Sequence, residues 1–206
     1  MKAVLLTTLM LAAIVAAGPA PAQILDTEPD VIGFFADPVG NVPGVCQLWT
    51  PLSVYLMITR PSDASGLTAY GCSFAVPPVV LSLGFSPAGG IIIESTFPIL
   101  DVGYTTPLPA QGDTYILGTW SLMVTGTDFD FVMLADHFPG EGAMAAYTAV
   151  DSGPAWIPVH PADWGNGMPM GSPYADAVLW VNEPGFCGYI VGDEQTTWGG
   201  LKSLFR

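Results

Sequence analysis

Side chains that could perform acid–base or metal chemistry are few in this sequence, and they do not follow a known catalytic spacing. His137 and His160 are the only histidines among the 206 residues, so one chain has too few imidazoles for a site of several histidine ligands. The patterns H-E-x-x-H, C-x-x-C and G-x-S-x-G, which mark metalloprotease, thiol and serine-hydrolase sites, do not occur. We therefore expect no enzymatic activity, no cofactor and no metal site.

Carboxylates are more numerous, and they leave two chemical alternatives open. Asp128 and Asp130 point to the same side of a predicted strand, which suits either a calcium site or a plain solvated strand edge. No stretch matches the D-x-[DN]-x-[DN]-G calcium loop. Two acids from distant strands could also serve a glycosidase, but no spacing in the sequence indicates such a pair.

Aromatic side chains in one long irregular segment form a candidate ligand platform. The segment IPVHPADWGNGMPMGSPYAD is rich in Pro and Gly and has no regular period, as is common in functional loops. Trp156, Trp164 and Tyr174 lie in it or beside it and could stack against sugar rings. The alternative is that these rings cover the edge of the folded domain, because aromatic side chains often serve as core.

The first 22 residues have the features of a secretory signal peptide. Lys2 precedes an uncharged apolar stretch from residue 3 to residue 17, and Ala20-Pro21-Ala22 is a small-x-small cleavage pattern. The apolar run is shorter than the roughly 20 residues that span a bilayer, so no transmembrane segment is predicted. We expect a secreted protein, located outside the cell, at the cell surface or in the periplasm.

The charge composition excludes some classes of partner. The chain has 18 acidic and 4 basic residues and a formal net charge of −14. Nucleic acids and anionic lipids are bound through clustered Lys and Arg, so neither is an expected partner. Half of the residues are hydrophobic, which provides enough apolar surface for a folded core. A protein or a polysaccharide surface is the expected partner.

Short apolar segments between turn residues predict an all-β fold. Twenty-four Gly and 20 Pro interrupt the chain, and the segments between them are rich in β-branched and aromatic residues. In SVYLMITR, for example, Val54, Leu56 and Ile58 alternate with residues of the opposite face. The predicted strands are 31–36, 52–60, 67–76, 79–85, 90–96, 115–125, 128–135 and 177–182. We predict a single domain over residues 23–192, an antiparallel β-sandwich with little helix.

Three cysteines in an exported chain predict one disulfide and one odd thiol. The favoured pairing is Cys46 with Cys72, because each lies near the end of a strand that flanks the 52–60 segment. Closing a loop of that size would stabilise the fold by about 3 kcal/mol. The alternative is that Cys46, Cys72 and Cys187 are all buried thiols.

Three segments carry a resemblance to known domains: VPGVCQLWTPLSVYLMIT, GLTAYGCSFAVPPVVLSLGF and YILGTWSLMVTGTDFDFVML. Their order is similar to the strand rhythm of cohesin-like and carbohydrate-binding-module-like sandwiches of secreted bacterial proteins. Together with the signal peptide and the ending TWGGLKSLFR, it makes the chain resemble a group of uncharacterised exported proteins of environmental Gram-negative bacteria. The resemblance implies an immunoglobulin- or cohesin-like sandwich and a short C-terminal sorting signal, and it implies no activity.

Residues 193–206 are predicted to form a tail outside the sandwich. The tail combines basic and apolar residues, namely Trp198, Gly199, Leu201, Lys202, Phe205 and Arg206. A short helix here would place Trp198, Leu201 and Phe205 along one face. The tail either packs on the acidic body of the protein or is read by export or anchoring machinery, as the resemblance implies.

These observations favour an exported structural or surface-displayed interaction module without catalytic activity. A carbohydrate-binding module is the alternative, and it requires a coplanar row of exposed aromatic side chains among Trp49, Trp156, Trp164 and Trp180. A carboxylate-dependent hydrolase is the third reading, and it requires two acids that converge in one cleft.

Overall fold

The computed structural model describes residues 28–40, 42, 44–89, 91–96, 98–135, 145–162 and 176–182, and for 91–96 it describes the backbone alone. Within these residues every regular element is a β-strand and there is no helix, so the all-β prediction is confirmed there. The predicted signal peptide, the tail 193–206, Cys187, Trp164 and Tyr174 lie outside the described residues.

In the described part of the chain, no helix is available that could cross a lipid bilayer.

Twelve strands follow one another along the described residues. They are β1 (Val31–Phe35), β2 (Gly44–Val45), β3 (Pro51–Thr59), β4 (Leu67–Ala75), β5 (Val80–Pro87), β6 (Ile91–Thr96), β7 (Ile99–Leu108), β8 (Thr114–Val124), β9 (Asp130–Ala135), β10 (Ala145–Ala149), β11 (Ile157–Pro161) and β12 (Ala177–Val181). All eight predicted segments form strands. The four unpredicted strands carry weak signals, because β2 has two residues, β10 is Ala-rich, and β7 and β11 contain Pro.

The strands form two β-sheets, which we call leaf A and leaf B, and hydrogen-bonded strand pairs connect the two leaves without a break. Leaf A has the order β1-β3-β8-β5, and the strands of leaf B pair along the path β2-β12-β9-β4-β10-β11. β9 and β10 pair with successive parts of β4, β7 also pairs with β4, and β6 pairs with β7. β11 joins the leaves, because Ile157–Val159 pairs with β10 and His160–Pro161 pairs with β1. The pairs β1–β11 and β2–β12 are parallel. The purely antiparallel sandwich predicted from the sequence is therefore corrected to a mixed, sandwich-like arrangement.

Apolar side chains from both leaves meet in one core. The ring of Phe34 in leaf A lies 4.8 Å, centroid to centroid, from the ring of Phe74 in leaf B and 5.1 Å from that of Trp120 in β8. All three side chains are buried. The alternation of inward and outward residues along each strand places these rings between the leaves.

Hydrogen bonds hold together the end of the fold where β1 begins and β3 ends, which we call the polar end. The buried Asp30 precedes β1, and its Oδ1 accepts the Tyr147 hydroxyl at 2.7 Å and the Ser62 N–H at 2.8 Å. The Tyr115 hydroxyl donates to the Asp63 carbonyl at 3.0 Å. These bonds tie the loop after β3 to both leaves.

Acid is expected to weaken the polar end through Asp63. Hydrogen bonds from the Ser65 hydroxyl and from backbone N–H groups hold the pKa of the Asp63 carboxyl below its usual value. A lowered folded pKa means that Asp63 stabilises the fold above its unfolded pKa of about 3.9 and loses this contribution as the pH falls through the folded pKa. Between about pH 4 and pH 2, urea unfolding should show a smaller loss of stability in Asp63→Asn than in the wild type.

Asp151 is exposed and lies close to the loop that contains Asp63. Asp151→Asn is therefore the matched control for Asp63→Asn. If Asp63→Asn and Asp151→Asn have the same profile, Asp63 does not contribute as stated.

Candidate interaction surface

The tryptophans that the structure describes do not form a row for sugar stacking. Trp49 is 67% exposed and lies two residues before the start of β3, whereas Trp156 is 44% exposed and directly precedes β11 at the polar end. The nine residues of β3 separate these two ends, a distance of roughly 30 Å at 3.3 Å per residue. Trp180 instead packs edge-on against Phe131, with ring centroids 5.0 Å apart. Trp49, Trp156 and Trp180 therefore do not line one platform.

The acids of the polar end are arranged to stabilise turns. The Asp30 carboxylate accepts hydrogen bonds from Ser62 and Tyr147, and the Asp63 carboxylate accepts them from Ser65 and Ser152. A general acid needs a pKa near the working pH, and the pKa of Asp63 is lowered. This geometry supports a structural role for both acids.

Metal-binding residues do not converge in the part of the chain that the structure describes, where no three His, Cys, Asp or Glu side chains could hold one ion. Asp130 Oδ1 accepts its neighbour's backbone N–H, that of Phe131, at 2.9 Å. Of the two histidines, His160 is described, and its Nε2 lies 3.2 Å from Glu28 Oε2 at the surface. His137 lies outside the described residues.

Cys72 is a free thiol, fully buried in the core. The predicted disulfide between Cys46 and Cys72 is therefore wrong. The reason is the alternation along β4, which turns Tyr70, Cys72 and Phe74 toward the other leaf. Burial, and to a smaller degree the charge of Asp101, raises the pKa of the Cys72 thiol far above its usual range. The thiol thus stays protonated and unreactive.

One outer surface of leaf A combines exposure with a complete lack of charge. None of the residues in β3, β5 or β8 is charged, although the chain has a net charge of −14. Trp120 and Leu122 of β8 are buried, so the residues between and after them point outward. The outward residues of the three strands, together with the exposed Leu83 at the irregularity between Ser82 and Gly84, define what we call the uncharged face: Ser53, Tyr55, Leu81, Leu83, Thr119, Ser121 and Met123.

The most apolar part of the uncharged face lies along β5, the last strand in the order of leaf A. Leu81 is 47% exposed and Leu83 is 48% exposed. Leu81 pairs with Met123, and Met123 pairs with Pro51 on the other side of β8. A single exposed leucine is ordinary, but neighbouring ones on an uncharged sheet form a patch of the kind that marks binding surfaces.

A small, mostly apolar cavity of about 230 Å³ adjoins the beginning of β3. Ala36, Val45, Cys46 and Leu52 are among the residues that line it, and its described lining contains no charged side chain. The absence of charge on the outer face of leaf A thus continues around the beginning of β3.

The sequence contained a signal for the uncharged face that strand prediction alone does not use. Residues 38–59, 64–93 and 114–127 contain no Asp, Glu, Lys or Arg. Such stretches are unusual in a chain this acidic. Only the pairing of β3 with β8 and of β8 with β5 shows that they form one surface.

No protein-family model matches this chain, and no curated protein sequence matches it. Two solved structures are similar to part of it. The second type II cohesin module from the cellulosomal adaptor ScaA scaffoldin of Acetivibrio cellulolyticus has 12% sequence identity and a TM-score of 0.43, over 69% of this chain and 100% of that chain. The cohesin module from the Clostridium perfringens family 33 glycoside hydrolase has 12% identity and a TM-score of 0.35, over 63% of this chain and 90% of that chain.

Proposed function

We propose that this chain is a non-catalytic module that binds another protein through the uncharged face. The observation that carries the proposal is the exclusion of charge from three neighbouring strands of a strongly acidic chain. The cores of protein interfaces are depleted of charged residues, whereas solvated surfaces are not. Leu81, Leu83 and Met123 supply the apolar contacts, and Ser53, Ser121 and Thr119 supply hydrogen-bonding groups around them.

We also propose that the module acts outside the cytoplasm. The signal-peptide pattern in residues 1–22 supports export, and the basic–aromatic tail at 193–206 supports recognition by export or anchoring machinery. A partner protein at the cell surface or in the periplasm would then bind to the uncharged face. The net charge of −14 keeps copies of the protein apart through mutual repulsion, which favours a different protein as the partner.

The proposal is tested by binding of the fluorescently labelled mature chain, residues 23–206, to cells of the source organism. We expect saturable binding that unlabelled protein displaces and that protease treatment of the cells removes. Leu83→Asp should weaken this binding at least tenfold, because it places an unpaired charge in the contact. Its melting temperature should stay within a few degrees of the wild type, since the side chain is half exposed.

Val150→Asp is the matched control, because Val150 is also 48% exposed but lies after β10 at the polar end. It should bind as the wild type does. Equal binding by Leu83→Asp and Val150→Asp would show that the uncharged face is not the contact. Binding that survives protease treatment but is lost on digestion of surface polysaccharide would replace the protein partner with a carbohydrate.

A further inference from the structure

The state of two cysteines restricts how the third is bonded. Cys46 takes part in a disulfide, and Cys72 is free. The chain contains three cysteines. Within one chain, Cys187 is therefore the partner that remains for Cys46.

The pairing of β2 with β12 places Cys46 next to the end of β12, from which the chain continues to Cys187. Val45 pairs with Val181 in parallel, and the Asn182 N–H donates to the Val45 carbonyl at 3.0 Å. Cys46 thus lies beside the end of β12, at about the 4.8 Å spacing of neighbouring strands. Cys187 follows Asn182 by five residues, which span about 18 Å at most, so the Cα separation of roughly 4.4–6.8 Å that a disulfide needs is attainable.

We propose that Cys46 and Cys187 form the disulfide of the mature protein and that this bond fastens β2 to the chain after β12. β2 has two residues, and so short a strand makes too few backbone hydrogen bonds to stay paired by itself. In the bonding step an S–S bond forms between the two Sγ atoms. The two thiols release two protons and two electrons, and a thiol–disulfide oxidoreductase of the export compartment takes up the electrons as its own disulfide becomes a dithiol.

The bond can be located by cleavage before aspartate, which places the three cysteines on the separate peptides 37–62, 63–100 and 176–192. Protein exported to the periplasm of an expression host is unfolded in urea, its free thiols are blocked with iodoacetamide, and it is digested without reduction. We expect one species with the mass of 37–62 plus 176–192 minus two hydrogens, which separates on reduction. Peptide 63–100 should carry one blocked thiol. A cross-link that includes 63–100, or three separately blocked peptides, would overturn the proposal.

Single-cysteine variants provide an independent readout. Cys72→Ala should keep the cross-link, whereas Cys46→Ser and Cys187→Ser should lose it. Because the bond closes a long loop, we expect reductant to lower the melting temperature of the wild type and of Cys72→Ala by roughly 10 °C. Reductant should leave that of Cys46→Ser unchanged. A reductant effect that persists in Cys46→Ser would show that another pairing stabilises the fold.

Discussion

Replacing Trp120 by alanine is expected to lower the free energy of unfolding by about 3–5 kcal/mol. Trp120 is fully buried between the leaves, and its ring lies 5.1 Å from that of Phe34. Its Nε1–H donates to Ser82 Oγ at 2.9 Å. Truncation removes the contact with Phe34 and the hydrogen bond to Ser82, and it leaves a cavity in the core. Since a domain of this size is stable by about 5–15 kcal/mol, urea unfolding followed by circular dichroism should show the loss clearly.

Two further variants separate the causes of this effect. Trp120→Phe keeps an aromatic ring in the core but removes the donor to Ser82, so its loss should be clearly smaller than that of Trp120→Ala. Trp49→Ala removes the same side chain from a position that is 67% exposed, and it should change stability by less than about 0.5 kcal/mol. Equal losses for Trp120→Ala and Trp49→Ala would contradict the core described above.

Replacing Gly118 by alanine is expected to destabilise the protein by about 1–3 kcal/mol, although it adds a single methyl group. A Cβ at Gly118 would lie 2.7 Å from the Ser86 carbonyl oxygen and would also collide with the ring of Phe85. The carbonyl belongs to the backbone of β5, so the strand itself must move. Unfolding in urea and the exchange rates of β5 amides should both report the change, with faster exchange in the variant.

The Phe85→Leu background separates the ring from the backbone as the source of strain. It removes the aromatic ring, but it leaves the Ser86 carbonyl in place. Gly118→Ala should therefore remain destabilising in this background. If the substitution becomes neutral there, the ring alone causes the strain and β5 need not move. Ser121→Ala, at an outward position of the same strand, should be nearly neutral.

The strands were predictable because their signal is local. In β3 the inward residues Val54, Leu56 and Ile58 repeat with a period of two, and all three are buried. Any sequence window that covers the strand contains this pattern. β10 was missed for the same reason, since Ala-Ala-Tyr-Thr-Ala has little β-propensity of its own. It is a strand because β4 and β11 pair with it on both edges.

The candidate surface was only partly predictable. The lack of charge in each of β3, β5 and β8 can be read from the sequence, but their adjacency depends on pairing between residues far apart in the chain. The platform of Trp156, Trp164 and Tyr174 stays a prediction, because Trp164 and Tyr174 lie outside the described residues. The tryptophan row that the carbohydrate-binding alternative requires shows the limit of sequence reasoning. Trp49 and Trp156 are both exposed, as a platform requires, yet they lie at opposite ends of the fold. Exposure is a property of one residue, whereas a shared surface is a property of the topology.

The sequence by itself determined that this protein is built from short β-strands, where most of them lie, and which stretches are free of charge. Those features depend on turn residues and on a period of two, which act over a few neighbouring residues. The tertiary structure alone decided the parallel pairs, the burial of Cys72 as a free thiol and the joining of three uncharged strands into one face. These depend on contacts between distant residues, because strand partners are chosen by how well two leaves pack around a common core and not by local preference.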